Sequence, residues 1–208
     1  MVKIKICGIT NLSDALTSIN AGCHALGFIF YKKSPRYISA QRAKQIIRNL
    51  PKKIKKIGVF VNAKEKIIKD IARICKLDLL QFHGDESPRF CQQFKDYPVI
   101  KAFRIKDRID LSEILSYNTS AYLFDTFVKS KSGGTGKHFN WDLLKAIRDK
   151  IRKPIFLSGG LDLRNVKEAI KLIRPDWVDV SSSLEIKPGK KDPHKIIRFI
   201  KAVKAIKI

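Results

Sequence analysis

A cysteine stands at position 7, in Val2-Lys3-Ile4-Lys5-Ile6-Cys7-Gly8-Ile9-Thr10, where a short apolar run gives way to a glycine and a helix-opening segment. A thiolate placed there could act as a general base. A free thiol ionises near ~8.5, so the surroundings must favour the anion for it to abstract protons near neutral pH. The competing reading is a small buried hydrophobe. Asp125 closes a second apolar run, Ala121-Tyr122-Leu123-Phe124-Asp125. A carboxylate there is costly to bury unless paired, and partial burial could keep it protonated as a general acid. A structural partner or cap is the alternative. Cys7 and Asp125 together would make an acid/base pair with separated titrations.

Three backbone-rich elements could offer N–H donors to a phosphate: Gly133-Gly134-Thr135-Gly136, Ser158-Gly159-Gly160 and Ser181-Ser182-Ser183. A lone glycine pair is weak evidence, because turns use glycine everywhere. Glycines after one strand and serines after the next are more specific. Arg36, in Ser34-Pro35-Arg36-Tyr37, could grip a substrate carboxylate through its guanidinium fork, although on so basic a chain a surface arginine is an equal alternative. His83, in Leu80-Gln81-Phe82-His83-Gly84, could line the same mouth or be a hydrogen-bonded structural histidine. His24, His138 and His194 lack partners at metal-ligand spacing, so neither a metal nor a cofactor is expected.

Such groups need elements to carry them. Short β-branched runs occupy 2–6, 25–30, 54–61, 78–82, 98–103, 121–125, 154–158 and 176–180. Amphipathic segments lie between them at about 12–21, 39–50, 64–76, 86–95, 110–117, 140–151, 162–173 and 192–205. Eight strand–helix units of about 26 residues each approach the compact limit of a (β/α)8 (TIM) barrel, and near-continuous apolar strands fit a parallel sheet covered by helices. The expected architecture is a single-domain barrel over residues 1–208, with an open doubly wound sheet as the alternative. Asn11, Ser39 and Asp162 are candidate helix caps, and Pro98 and Pro154 sit at strand starts, where a missing N–H costs little. The segment 126–139, glycine-rich and without periodicity, has the length of a functional lid.

Composition narrows the classes. A chain of 208 residues with 44% hydrophobic content can bury one good core. Apolar stretches fall well short of the ~20 residues that cross a bilayer, and the opening residues show no signal-peptide pattern, so a soluble cytoplasmic protein is expected. Cys7, Cys23, Cys75 and Cys91 lack C-x-x-C spacing and are expected to be reduced, the last three as core residues. The net charge of +24 could suggest nucleic acid. The lysines are spread over nearly every expected helix, however, without an aromatic-interleaved basic stripe. A solvated surface bias is the preferred reading, with a positive field that attracts an anionic substrate as a weaker role.

Taken together, several segments resemble the phosphoribosylanthranilate isomerase family. They are Lys5-Ile6-Cys7-Gly8-Ile9-Thr10, Gly27-Phe28-Ile29-Phe30 with Ser34-Pro35-Arg36-Tyr37, Gly58-Val59-Phe60-Val61-Asn62, Leu80-Gln81-Phe82-His83-Gly84 and Phe124-Asp125-Thr126. Gly133-Gly134-Thr135-Gly136, Leu157-Ser158-Gly159-Gly160-Leu161 and Asp179-Val180-Ser181-Ser182 complete the set, in order over about residues 3 to 185. The resemblance implies a (β/α)8 barrel that performs an Amadori rearrangement in tryptophan biosynthesis. It places the general base at Cys7, the general acid at Asp125, the anthranilate-carboxylate contact at Arg36, and phosphate-binding backbone at Gly159, Gly160 and Ser181-Ser182. His83, Gly134 and Asp179 join the expected substrate contacts. The partner is then a small phosphorylated molecule, without nucleic acid or membrane, and the enzyme a monomer or homodimer. Ser183 departs from a usual glycine and Asn140 from a usual aspartate. Alternatives are another phosphosugar isomerase, or an indole-forming lyase of the same pathway, for whose acid only Lys101, inside its strand, is available. A basic nucleic-acid-binding module is the alternative from another class.

Overall fold

Alternate residues of each central strand face opposite ways, and both faces are buried. In β1 (Lys3–Cys7), Ile4 and Ile6 join the large core between strands and helices, which leaves Lys5 and Cys7 to the other face. A second, smaller core holds Ala25, Ile57, Ile100, Leu123 and Phe156, the inward layer. This is the pattern of a closed parallel barrel, and the computed structural model has one. It describes residues 1–105, 108–125 and 141–206.

The remaining barrel strands are β2 (Ala25–Ile29), β3 (Lys55–Phe60), β4 (Leu79–Phe82), β5 (Val99–Arg104), β6 (Ala121–Asp125), β7 (Ile155–Ser158) and β8 (Trp177–Val180). Each pairs in parallel with the next, and β8 returns to β1 with Lys5 opposite Asp179, which closes the barrel. The eight expected strands are therefore present in the expected order, and the open-sheet alternative is excluded. Pro98 and Pro154 fall one residue before β5 and β7, where their carbonyls still accept ladder hydrogen bonds from Leu80 and Tyr122.

Helices α1 (Leu12–Ala21), α2 (Ala40–Ile47), α3 (Glu65–Cys75), α4 (Pro88–Cys91), α5 (Leu111–Ser116), α6 (Trp141–Arg148), α7 (Val166–Ile173) and α8 (Pro193–Lys204) follow the strands in turn. Asn11 and Ser39 cap α1 and α2 by accepting from the N–H groups of Asp14 and Arg42. Two expectations need correction. α4 is one turn long rather than spanning 86–95: beyond Cys91 the backbone bonds tighten to i,i+3 spacing, from Gln93 to Phe90 and from Phe94 to Cys91, while Phe90 and Phe94 pack with Phe82. Asp162 accepts from the N–H groups of Arg164 and Asn165, so it caps the turn leading into α7 rather than α7 itself.

An unexpected hairpin separates β8 from α8. A 3-10 turn at Ser182–Leu184 leads into β9 (Glu185–Lys187), which pairs antiparallel with β10 (Lys190–Lys191). Pro188-Gly189 makes the turn, with Gly189 at φ 80°. Asp14 of α1 accepts from the Lys191 backbone at 2.7 Å, which ties the hairpin to the barrel wall. Among the described residues no helix is long and apolar enough to cross a membrane.

Candidate active site

Cys7 ends β1 on the inward face, two residues beyond Lys5 and therefore on the same side of the strand. Lys5 is fully buried and donates to Asp179 of β8 at 2.7 Å. The other Asp179 oxygen, Oδ1, is buried with no hydrogen-bond partner among the described residues. A polar atom in that state calls for an explanation. Gly27 of β2 supplies the room for this cluster. A Cβ there would lie 2.7 Å from Cys7 Sγ and 3.2 Å from Lys5 Cε, so both side chains converge on the space that glycine leaves. Burial pushes the Cys7 thiol above its ordinary value, while the charges of Lys5 and Lys191 act against that rise.

Asp125, at the end of β6, meets His83 just beyond β4, with His83 Nε2 at 3.1 Å from Asp125 Oδ2. The other ring nitrogen lies 2.9 Å from Gln81 Nε2. With the Gln81 amide donating, His83 carries its proton on Nε2 and donates to a carboxylate. With the amide turned, the histidine could accept from a protonated Asp125 instead. The pair can therefore accompany Asp125 through either protonation state.

Arg36 follows β2 and lies against Gly8, where a Cβ would come within 2.7 Å of Arg36 Cδ. Its Nε and Nη2 form a fork on Glu185, with contacts of 2.9, 3.0 and 2.6 Å. Glu185 also accepts from Lys191 Nζ at 2.9 Å, and Lys191 donates to both oxygens of Ser181. Ser181 in turn donates to the Cys7 carbonyl at 3.0 Å. The hairpin thus braces both the arginine and the end of β1.

Two turns complete the mouth. After β7, Gly159 and Gly160 take φ values of 92° and 64°, backbone that favours glycine. A Cβ on Gly160 would meet nothing within 4 Å, so its conformation rather than crowding selects glycine there. After β8, Ser181 and Ser182 enter the 3-10 turn. A cavity of about 370 Å³ is walled by Arg36, Asp125, Gly159, Gly160, Asp179 and the serine turn. A neighbouring cavity of about 670 Å³ carries His83, Lys101, Arg104 and Arg108.

Most of the expected contacts are therefore gathered at one end of the barrel. Arg36, Asp125, Gly159, Gly160, Asp179, Ser181 and Ser182 share the smaller cavity, and His83 joins it through Asp125. Cys7, 7% exposed, is not among that cavity's lining residues but adjoins it through Ser181 and the Lys5–Asp179 pair. Gly134, the glycine-rich loop and Asn140 lie outside the described residues. Lys101 donates to the Gly84 carbonyl and to Glu86, a buried pair beneath the loop after β4. Among the described residues no His, Cys, Asp or Glu cluster has the makings of a metal site.

Comparison with known proteins identifies the family. The model of the family described as N-(5'-phosphoribosyl)anthranilate (PRA) isomerase matches residues 4–202. The chain belongs to this isomerase family. A relative from Citrifermentans bemidjiense, named N-(5'-phosphoribosyl)anthranilate isomerase, is 46% identical over 99% of this chain and 98% of its own length. The solved Thermotoga maritima phosphoribosylanthranilate isomerase is 44% identical with a TM-score of 0.91, covering 99% of this chain and 100% of the other. A phosphoribosylanthranilate isomerase solved in complex with reduced 1-(o-carboxyphenylamino)-1-deoxyribulose 5-phosphate is 42% identical with a TM-score of 0.89, again covering 99% and 100%. The protein is thus an isomerase of tryptophan biosynthesis on a (β/α)8 barrel.

Against the isomerase family pattern, Ser183 is accommodated without positive φ, and its hydroxyl donates to the Leu161 carbonyl at 2.6 Å. It links the turn after β8 to the loop after β7. Residue-by-residue reading missed Lys5, Glu185 and Lys191. Lys5 carried a usable signal, since two-residue spacing puts it on the Cys7 face. Pro188-Gly189 could have announced the hairpin that delivers the other two.

Proposed function

We propose that this isomerase converts N-(5-phospho-β-D-ribosyl)anthranilate to 1-(2-carboxyphenylamino)-1-deoxy-D-ribulose 5-phosphate, with Asp125 as general acid and Cys7 as general base. The observation that carries these roles is the smaller cavity. Asp125 and Asp179 stand on its wall with the glycine and serine turns, and the Cys7 strand end adjoins it through Ser181. Backbone donors of Gly159, Gly160 and the Ser181-Ser182 turn would hold the phosphate. The Oδ1 of Asp179, without a hydrogen-bond partner among the described residues, would accept from a sugar hydroxyl, and Arg36 would meet the anthranilate carboxylate at the margin of its fork on Glu185. Gly134 belongs to the same reading as a further backbone contact.

Asp125 would protonate the ribose ring oxygen as the C1–O bond breaks, leaving a protonated Schiff base. The resulting carboxylate would be stabilised by His83 Nε2–H. Cys7 thiolate would then take the C2 proton. The C–H electrons would form the C1–C2 double bond, and the C1–N π electrons would neutralise nitrogen. The enolamine reaches the ketone by losing its O2 proton and gaining one at C1. Each acid/base group would contribute ~10²–10⁴-fold, with the anchored ends supplying positioning. Residues 1–208 would act as one catalytic unit, monomeric or homodimeric, in the cytoplasm, a setting that suits four unpaired cysteines.

Fluorescence-monitored turnover of freshly made phosphoribosylanthranilate tests this. Cys7→Ser and Asp125→Asn should each lower kcat by ~10²-fold or more while circular dichroism and product binding stay near wild type. Near-normal turnover in either variant would remove that residue from its role.

A further inference from the structure

The ammonium of Lys5 is fully buried inside the barrel, a position that a lysine holds only with strong compensation. A donor bond of 2.7 Å to Asp179 Oδ2 supplies part of that compensation. An ammonium has three donors. The Cys7 sulfur stands beside the same side chain, both packed into the space left by Gly27.

Resting on the reading of Cys7 as the base, we infer that Lys5 is a positioning residue for it: a buried counter-ion that stabilises the thiolate and aims it. The other charged groups facing Cys7 fit a division of labour. From β10, Lys191 approaches through Ser181, and from the loop after β2, Arg36 lies over Gly8. Both are bonded to Glu185 of β9, which offsets their charge. From β8, Asp179 opposes the thiolate but is itself bonded to Lys5. Asp125 and His83 act on Asp179 from farther around the barrel. Lys5 is therefore the cation whose partner leaves it room for a second anion. Burial pulls its ammonium down, yet Asp179 and Cys7 more than restore it and hold it above the ordinary lysine value. On ionisation the thiol proton leaves to water, and the C2 proton later returns the sulfur to the thiol.

The test follows thiolate ultraviolet absorbance against pH, using Cys7→Ser to subtract the other three cysteines. In Lys5→Met, the Cys7 titration should move up by about one unit or more, a tenfold loss of thiolate at neutral pH. The kcat should fall about as much while KM stays within about threefold, and raising the pH should restore the rate. An unchanged titration overturns the inference. A shifted titration with an unchanged kcat overturns the reading of Cys7 as the base instead, and with it any catalytic role for Lys5. Because Lys5→Met leaves Asp179 unpaired and could impair folding, the wild-type enzyme supplies a second measurement. The Lys5 side-chain NMR resonance should shift at the pH where Cys7 ionises, and this step should vanish in Cys7→Ser. A Lys5 resonance that is blind to the Cys7 titration would overturn the inference without any lysine variant.

Discussion

Glu185 stands between two cations beside the smaller cavity, the partly exposed Arg36 and the buried Lys191, and is itself almost fully enclosed. Burial alone would push its carboxyl up. The hydrogen bonds from Arg36 and the charge of Lys191 more than reverse this and hold it below the usual glutamate range. A carboxyl whose folded value lies below its unfolded value of ~4.3 contributes stability that is complete above that pH. That contribution disappears as the pH falls through the folded value. Glu185→Gln should therefore cost on the order of 3 kcal/mol near neutrality, mostly by leaving Lys191 buried without a counter-charge. The gap from wild type should narrow as the pH drops below ~4, where wild type loses the same charge. Urea unfolding at a series of pH values reads this directly, and a gap independent of pH would mean that the glutamate acts by packing alone.

At the scale of elements, β2 matters less for the groups it carries than for the one it lacks. Gly27 has ordinary extended backbone, so glycine is required there by space. A methyl group would press on Cys7 Sγ at 2.7 Å and on the Cys7 backbone at 3.1 Å. Gly27→Ala should cost about 1–3 kcal/mol in thermal unfolding and lower kcat at least ~tenfold by displacing the sulfur. Unaltered kinetics would show that Cys7 tolerates displacement and does not need to be held in place. This case also shows what sequence can carry. Strand order and the gathering of Cys7, Asp125, Gly159 and Ser181 at one end follow from period-2 burial and from the rule that parallel strands present their C-terminal ends together. Gly27 could be recognised only as part of a family segment, because its neighbour across the ladder is set by register, which a single strand does not encode. Arg36 shows the other limit. Its fork geometry is legible as carboxylate-binding, but the carboxylate it grips here is Glu185, 149 residues away. α4 marks another limit, since Phe90 and Phe94 keep an apolar helical spacing and pack together on Phe82, although the backbone between them tightens to i,i+3 turns.

Over the whole molecule the formal charge is +24, and the proposed substrate carries a phosphate and a carboxylate. Arg36 borders the smaller cavity together with Asp125 and Asp179, and Arg104 and Arg108 border the larger one together with Asp85, Asp110 and Glu113, so a positive field at the mouth would come from the surface as a whole rather than from the cavity linings. Fields of this kind raise the local concentration of an oppositely charged ligand and its rate of encounter. They are screened beyond ~10 Å at 0.1 M salt and beyond ~3 Å at 1 M. Raising ionic strength should therefore lower kcat/KM several-fold through KM, while kcat, if set at short range by the proposed Lys5, Cys7 and Asp125, stays nearly constant. The measurement is steady-state turnover across a potassium chloride series with pH held fixed. If kcat/KM is flat across that series, the excess lysines are a solvated surface with no part in capture. If kcat itself falls with salt, the charge that matters lies at the chemistry rather than in the long-range field.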